Sequence, residues 1–176
     1  MSRPSWDEYF MIQAYLAAIR STCLRRRVGA VLVSSKKILG TGYNGAPSGL
    51  KHCTEIGCIR QNMNIPSGMR HELCRGIHAE NNTIRQALHA RDSLEGAELF
   101  CTTYPCNECA KMIIDEKIRR VIVIHDYRSE LAEEMFEEAK IEVEVYKRDV
   151  RELIARLTFG KENAKKIMKL IEKEVK

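Results

Sequence analysis

Apolar and polar residues follow two different periods along the first part of the chain. Residues 6–20 place apolar side chains three and four positions apart, which is typical of a helix with one buried face. The run VGAVLVSS (28–35) is short, apolar and rich in β-branched residues. The segment KKILGTGYNG (36–45) follows it after a polar turn. They predict an antiparallel hairpin that ends in a glycine-rich loop.

Helix-like and strand-like segments alternate from residue 77 onward. IHAENNTIRQALHA, PCNECAKMIIDEK and SELAEEMFEEAK have helical spacing, whereas AELFCTT, RRVIVIHDY and IEVEVYK predict strands. This order indicates one α/β domain, residues 1–148, whose sheet has parallel neighbours and is covered by helices. Residues 149–176 predict a helical C-terminal extension. We expect its apolar stripe to pack on the body or on a neighbouring subunit; the stripe consists of Ile167, Leu170, Ile171 and Val175.

Residues 46–76 interrupt this regular pattern. They hold half of the prolines and three of the seven cysteines, and their apolar residues follow no period. A loop of this length inside a compact domain is usually functional or ordered by a ligand. We therefore treat the segment as an insertion stabilised by a metal.

Composition limits the class of protein. With 176 residues, 44% hydrophobic and 30% charged, the chain has the composition of a soluble globular domain. It shows no signal peptide and no apolar run near the ~18 residues of a membrane span, so we expect a cytoplasmic protein without a membrane partner. Seven cysteines are then expected as reduced thiols or metal ligands. The net charge of +5 is too diffuse to indicate a nucleic-acid partner.

The segment TTYPCNECA contains two cysteines three positions apart. Cys106 and Cys109 could form a redox pair, half of a structural zinc site or part of a catalytic metal site. Both lie at the start of a predicted helix, where backbone amides favour the thiolate. His78 also begins a predicted helix, so two helix N-termini could face one another across a metal. One nitrogen and two thiolates leave the fourth position of a tetrahedral zinc ion open.

Glu80 lies two residues after His78. Zinc lowers the pKa of a bound water to about 7, and a nearby carboxylate that is not a ligand can move that water's proton. Taken singly, His78 could cap a helix, Glu80 could be an ordinary first-turn acid, and the cysteines could be buried apolar residues. Their joint occurrence as H-x-E followed by P-C-x-x-C is the pattern of zinc-dependent nucleobase deaminases.

Four motifs resemble one family closely. HAENNTI, TTYPCNECAKMII, RSTCLRRRVGAVLV and GTGYNGAPSG are similar to the deoxycytidylate (dCMP) deaminases of the cytidine deaminase superfamily, over residues 6–147. The resemblance implies a three-layer α-β-α fold with a central five-stranded mixed sheet, and usually a homohexamer. It also implies hydrolytic deamination of dCMP to dUMP, which supplies thymidylate synthesis. His78, Cys106 and Cys109 would bind the catalytic zinc ion, and Glu80 would be the proton shuttle.

The resemblance also suggests substrate and effector contacts. Asn44 matches an asparagine that binds substrate, although a left-handed turn residue in YNG is the alternative. Further substrate contacts are expected at Ala79, Pro105 and Tyr127. The family's loop for the activator dCTP and the inhibitor dTTP corresponds to Gly42, Tyr43, Asn44 and Gly45. A 5′-phosphate needs cationic or amide donors; the candidates are Arg25, Arg26, Arg27, Lys51 and Arg128.

A second, structural zinc site is expected in the insertion. By the resemblance its ligands are Cys23, Cys53, His71 and Cys74, with Cys58 as a spare or an alternate; partly buried free thiols are the other interpretation. A closed site of four ligands would order a loop rich in glycine and proline. Cys101 is expected in the core, and the remaining histidines are expected at the surface or in the core; these are His52, His89 and His125.

Two other functions stay open at this point. Zinc chemistry alone also fits a deaminase of another base carrier, such as cytidine, tRNA adenosine, or a pterin or riboflavin precursor. GYNG and the long insertion favour the deoxycytidylate branch, and an aromatic content of 6% offers few stacking groups for tRNA. A nucleotide-sensing or DNA-uptake module without turnover is the second alternative. Glu80 argues against it, because a structural zinc ion needs no unligated carboxylate beside it.

Overall fold

The central sheet has five strands and mixed direction. The structure, a computed structural model, describes residues 3–90, 93–125 and 129–174. The strand order is β2-β1-β3-β4-β5, with β1 antiparallel to both β2 and β3, and β3, β4 and β5 parallel. The strands are β1 (Gly29–Ser34), β2 (Lys37–Tyr43), β3 (Glu98–Thr103), β4 (Arg120–His125) and β5 (Glu142–Val145). The predicted α/β fold with a five-stranded mixed sheet is confirmed.

Helices connect and cover the strands in the predicted order. They are α1 (Trp6–Ile19), α2 (Cys53–Ile56), α3 (Ile59–Asn62), α4 (Ala79–Leu88), α5 (Asn107–Asp115), α6 (Glu130–Glu138), α7 (Val150–Phe159) and α8 (Lys161–Glu174). The insertion is more regular than its sequence suggested, because it contains α2, α3 and a 3-10 turn at His71–Leu73. Within the described ranges, no helix combines the length and the apolar character needed to cross a bilayer.

Two hydrophobic clusters lie on opposite faces of the sheet. Successive side chains of β1 alternate between them, as strand geometry requires. Leu32 packs with the cluster that includes Ile84 of α4, whereas Val31 packs with Phe10 of α1 and Val150 of α7. The sheet is therefore a middle layer, with α4, α5 and α6 on one face and α1 and α7 on the other.

The turn between β1 and β2 has an uncommon backbone for its residues. Ser35 and Lys36 both have positive φ angles, of 50° and 63°. Two consecutive left-handed residues match the twist of a tight antiparallel hairpin. The predicted hairpin is thus confirmed, although the turn uses neither glycine nor asparagine.

Arg120 forms ion pairs at the N-terminal end of the parallel strands β3, β4 and β5. Its guanidinium donates to Glu144 (Nε to Oε1, 2.6 Å), to Glu98 (3.0 Å) and to Asp7 of α1 (3.0 Å). Hydrogen bonds to Glu144, and then to Asp7, raise the pKa of Arg120. Ion pairs close this N-terminal end, so the carboxyl ends of the parallel strands remain for ligands, as is usual in α/β sheets.

The C-terminal helices form a hairpin on the α1 side. Ala164 of α8 is buried and Ile167 is half-buried, but Leu170 is 62% exposed and Ile171 is also exposed. The second half of the predicted apolar stripe therefore does not pack on the body of this chain. Val175 lies outside the described residues.

Candidate active site

Two helix N-termini meet at the carboxyl end of β3. His78 is the N-cap of α4, and Cys106 is the N-cap of α5, one residue after Pro105. The residue before His78 is fixed by a two-hydrogen-bond bridge between Ile77 and Gly45, at 2.8 and 3.1 Å. The loops that leave β2 and β3 thus bring the two helix starts together, as the sequence predicted.

The three predicted ligand side chains converge on one point. The His78 Nδ1 atom lies 3.3 Å from the Cys106 Sγ atom and 3.4 Å from the Cys109 Sγ atom. Ligand atoms at this spacing are what bonds of about 2.0–2.3 Å to a single zinc ion produce, and one imidazole with two thiols is a zinc donor set. The three residues therefore fit a zinc ion as three of its four tetrahedral ligands.

Glu80 borders this set. A carboxylate oxygen of Glu80 lies within 4.8 Å of the ligand atoms of His78 and Cys109. Only 4% of Glu80 is exposed, and burial raises the pKa of its carboxyl group. A buried acid next to a metal site is suited to exchange protons in both directions near neutral pH.

The charges of the ligand side chains are coupled. A hydrogen bond from Cys109 lowers the pKa of Cys106, and the same bond raises the pKa of Cys109. A hydrogen bond with Cys106 raises the pKa of His78. The hydrogen bond between the two sulfurs thus favours the thiolate of Cys106, which is the form of cysteine that binds a metal.

Asn44 ties the loop before β1 to the loop after β2. Its Oδ1 atom accepts from the backbone N–H of Val28 at 2.8 Å and from the hydroxyl of Ser21 at 2.5 Å, and its Nδ2 atom donates to the carbonyl of Arg26 at 2.9 Å. Asn44 does not have a positive φ, so the left-handed turn interpretation is wrong. Among the described residues the Asn44 amide donates this one hydrogen bond, so its second N–H can serve a substrate.

Replacing Asn44 by alanine is expected to lower stability as well as affinity. The change removes acceptors for Val28 and Ser21 and the donor to Arg26, and each hydrogen bond of this kind contributes about 0.5–1.5 kcal/mol. Asn44→Asp keeps the acceptors but puts a carboxylate oxygen against the Arg26 carbonyl, so the free energies of unfolding of both variants should lie below that of the wild type. Urea denaturation measures this order. A raised KM with an unchanged free energy of unfolding in Asn44→Ala would contradict the bridging role.

Gly42 packs directly against the first turn of α4. A Cβ atom at Gly42 would lie 2.4 Å from the Thr83 hydroxyl and 2.5 Å from the Ala79 carbonyl oxygen. Gly42, Tyr43 and Gly45 also line a cleft of about 280 Å³ with Asn82 and Gln86 of α4. The glycine-rich loop therefore supports the helix that carries His78 and Glu80. The same loop also lines this cleft.

The cysteines of the insertion form a second group. Burial raises the pKa of Cys53, and the nearby thiols of Cys58, Cys23 and Cys74 raise it further. His71 packs against the first group: its ring centroid is 5.2 Å from that of His78, and its ligand atom lies within 4.8 Å of those of His78 and Cys106. Within the described residues, no three of the predicted ligands and their alternate come within 4.8 Å of one another; these are Cys23, Cys53, His71, Cys74 and Cys58.

The remaining predicted residues occupy varied positions. Ala79 and Pro105 are buried beside the ligand residues. Arg25 and Arg26 line a cleft, whereas Arg27 and Lys51 are exposed. Cys101 is fully buried on β3, and His89 and His125 are exposed. His52 is half-buried, with its Nδ1 atom 3.1 Å from the Thr22 hydroxyl. Tyr127 and Arg128 lie outside the described residues.

Two buried oxygen atoms, one on α4 and one at the end of β3, escaped the sequence interpretation. Asn81 Oδ1 and Thr103 Oγ1 have no hydrogen-bond partner among the described residues. Asn82, the neighbour of Asn81, instead donates to the carbonyl of Tyr43 at 2.8 Å. Nothing in the motif HAENN distinguishes the two asparagines, because the difference arises from where the helix places each side chain.

Comparison with known proteins agrees with this chemistry. A family model described as "Cytidine and deoxycytidylate deaminase zinc-binding region" matches residues 4–125. "ComE operon protein 2" of Bacillus subtilis is 42% identical over 146 residues, which are 82% of this chain and 72% of that protein. The deoxycytidylate deaminase of Mycobacterium phage D29 is 41% identical over 127 residues, which are 69% of this chain and 96% of that enzyme.

Coverage differs among the relatives. The deoxycytidylate deaminase of Schizosaccharomyces pombe is 43% identical over 71% of this chain, but the match spans only 38% of that enzyme. Among solved structures, the dCMP deaminase of cyanophage S-TIM5 in complex with dCMP and dUMP superposes with a TM-score of 0.68. It is 31% identical, and the match covers 83% of this chain and 100% of that one.

Proposed function

The chain belongs to the family of cytidine and deoxycytidylate deaminases, and we propose that it hydrolyses dCMP to dUMP and ammonia. The convergence of His78, Cys106 and Cys109 beside the buried carboxylate of Glu80 is the observation that carries this proposal. The relatives named deoxycytidylate deaminase and the structure that binds dCMP and dUMP support the choice of substrate.

Glu80 is the group that moves protons. A zinc ion held by His78, Cys106 and Cys109 would supply Lewis acidity that makes a water molecule nucleophilic at neutral pH. Glu80 accepts one proton of the attacking water and passes it to N3 of the cytosine ring, while the oxygen bonds to C4. It then passes the second proton to the exocyclic amine. The C4–N bond breaks, ammonia leaves, and the atoms balance as dCMP plus water giving dUMP plus ammonia.

A panel of substrates tests the assignment. We expect the highest kcat/KM for dCMP among dCMP, cytidine, dCTP, cytosine and adenosine, measured by the absorbance change on deamination with and without dCTP and dTTP. The other base carriers and the module without turnover are the competing functions. Turnover of cytidine but not of dCMP would replace the proposed substrate, and the absence of turnover on the whole panel would favour the binding module.

We also propose a second zinc ion in the insertion. Three of the ligands expected from the sequence, Cys23, Cys53 and Cys74, are retained in this proposal. Cys58 replaces His71 as the fourth, because the Cys58 thiol acts on the pKa of Cys53 while His71 lies against His78. Burial and the neighbouring thiols disfavour the thiolate of Cys53, as its raised pKa shows, and a metal ion that binds Cys53 as a thiolate offsets this cost.

Regulation, assembly and location are further parts of the proposal. The cleft bordered by Gly42 and Gly45 supports control by dCTP and dTTP at the glycine-rich loop. Exposed apolar side chains on α1, among them Leu16 and Ile19, support assembly into a homohexamer. The seven cysteines are free in the structure, which supports a reducing cytoplasmic location.

A further inference from the structure

The ring of His71 reaches the candidate metal site from the insertion. Its centroid lies 5.2 Å from that of His78, and the two ring planes cross at 75°. A ring nitrogen of His71 lies within 4.8 Å of the ligand atoms of His78 and Cys106. An imidazole at this distance can act on the ligands of a metal ion without being one of them.

His71 is a hydrogen-bond partner of the Cys106 thiol. Cys106 accepts hydrogen bonds from Cys109, His71 and His78, and all three lower its pKa, Cys109 the most. When both thiols bind a metal ion as thiolates, Cys109 keeps no proton to donate. The His78 nitrogen that faces the sulfurs is then a ligand as well. Of the three donors, only His71 retains an N–H for the Cys106 sulfur.

The backbone fixes His71 in this position from both sides. His71 begins a 3-10 turn, and the N–H of Cys74 closes this turn on the carbonyl of His71 at 2.9 Å. Two residues before His71, the carbonyl of Met69 accepts a hydrogen bond from the guanidinium of Arg60, which is buried. The imidazole is therefore presented to the metal site by a held turn, although the surrounding segment is an insertion.

We propose that His71 is a positioning residue for the catalytic metal site, whose N–H donates to the Cys106 thiolate and keeps that sulfur directed at the metal. The inference rests on the proposed zinc-dependent deamination. A hydrogen bond to a ligand atom orients it and tunes the charge that it gives to the metal, and loss of such support costs about 10- to 100-fold in metal affinity or activity. His71 itself is not a ligand of either zinc ion in this proposal.

Cobalt in place of zinc makes the catalytic site visible. The sulfur-to-cobalt absorption that the full-length wild type shows and Cys109→Ser lacks belongs to this site. We expect His71→Ala to shift that absorption, and zinc to displace the cobalt with an affinity about 10- to 100-fold lower than in the wild type. Asn and Gln carry an amide N–H, so one of His71→Asn and His71→Gln should restore both quantities. His89→Ala, at the exposed C-cap of α4, is the matched control and should leave both unchanged.

The cobalt measurement separates this inference from the proposed function, because it needs no turnover. If the wild type fails to deaminate dCMP, the function is wrong, while a shift in His71→Ala that an amide variant reverses still supports the positioning role. With turnover, kcat should fall in His71→Ala and KM should stay nearly constant. The inference is overturned by an unshifted absorption with unchanged zinc affinity, by failure of both amide variants to restore them, or by a change in KM alone. Loss of the zinc ion that Cys58→Ser also loses would instead make His71 a ligand in the insertion.

Discussion

Glu80→Gln is expected to lose nearly all deamination while keeping zinc and nucleotide. Glutamine has the shape of glutamate but cannot accept and release the protons that the reaction moves, and general acid–base catalysis contributes about 10²- to 10⁴-fold. We therefore expect kcat to fall by at least that factor, measured from the absorbance change of dCMP. Zinc per chain and the Kd of dUMP should remain within about twofold, since Glu80 is not needed as a ligand.

Glu108→Gln is the matched control for this experiment. Glu108 is also an acid in the first turn of a helix next to the site, but it is exposed and pairs with Lys111 at 2.8 Å. Its replacement changes the same charge at the helix start without touching a buried carboxylate. A kcat of Glu80→Gln within a few-fold of the wild type would remove Glu80 from the mechanism.

The convergence of His78, Glu80, Cys106 and Cys109 was predictable because its geometry is local. His78 and Glu80 are two residues apart at one helix start, and Cys106 and Cys109 are three apart at another, so helix geometry alone orients each pair. Only the pairing of the two helix starts is a long-range property. That pairing follows from parallel strands whose crossover helices begin at the same edge of the sheet.

The position of His71 against His78 was not predictable from spacing. His71 and Cys74 are three residues apart, a separation at which side chains meet in a helix. The 3-10 turn ends at Leu73, however, and Cys74 is extended, with φ −77° and ψ 123°. The helical spacing argument therefore does not apply to this pair, and the His71 ring instead packs against that of His78, with 5.2 Å between the centroids. Spacing predicts proximity only where the backbone between the two residues is regular.

The arginines show the same limit. Arg25, Arg26 and Arg27 are adjacent, and the sequence makes each of them an equal candidate for binding a phosphate. The structure separates them, because Arg25 has a buried Nη1 atom while Arg27 is exposed. This difference depends on the path of the insertion, whose residues Gln61, Asn64 and Ser67 line the same cleft as Arg25. That path could not be predicted, because the apolar residues of the segment 46–76 follow no period.

Cys109→Ser and Cys58→Ser are expected to remove different zinc ions. The wild type should contain about two zinc ions per chain, because each proposed set has enough ligands for one. Cys109→Ser should retain about one ion and lose deamination, since a ligand of the catalytic ion is gone and even indirect ligand support contributes 10- to 100-fold in affinity or activity. Elemental analysis with parallel kcat measurements gives both quantities.

Cys58→Ser should retain about one zinc ion as well, but with kcat close to the wild-type value and a lower Tm. The loss of stability follows because metal binding in the insertion contributes folding free energy. Cys101→Ala, at a buried thiol outside both sets, is the control and should keep both ions. Two ions in Cys58→Ser combined with one in His71→Ala would restore His71 as the fourth ligand. One ion in the wild type would leave Cys23, Cys53, Cys58 and Cys74 as free thiols.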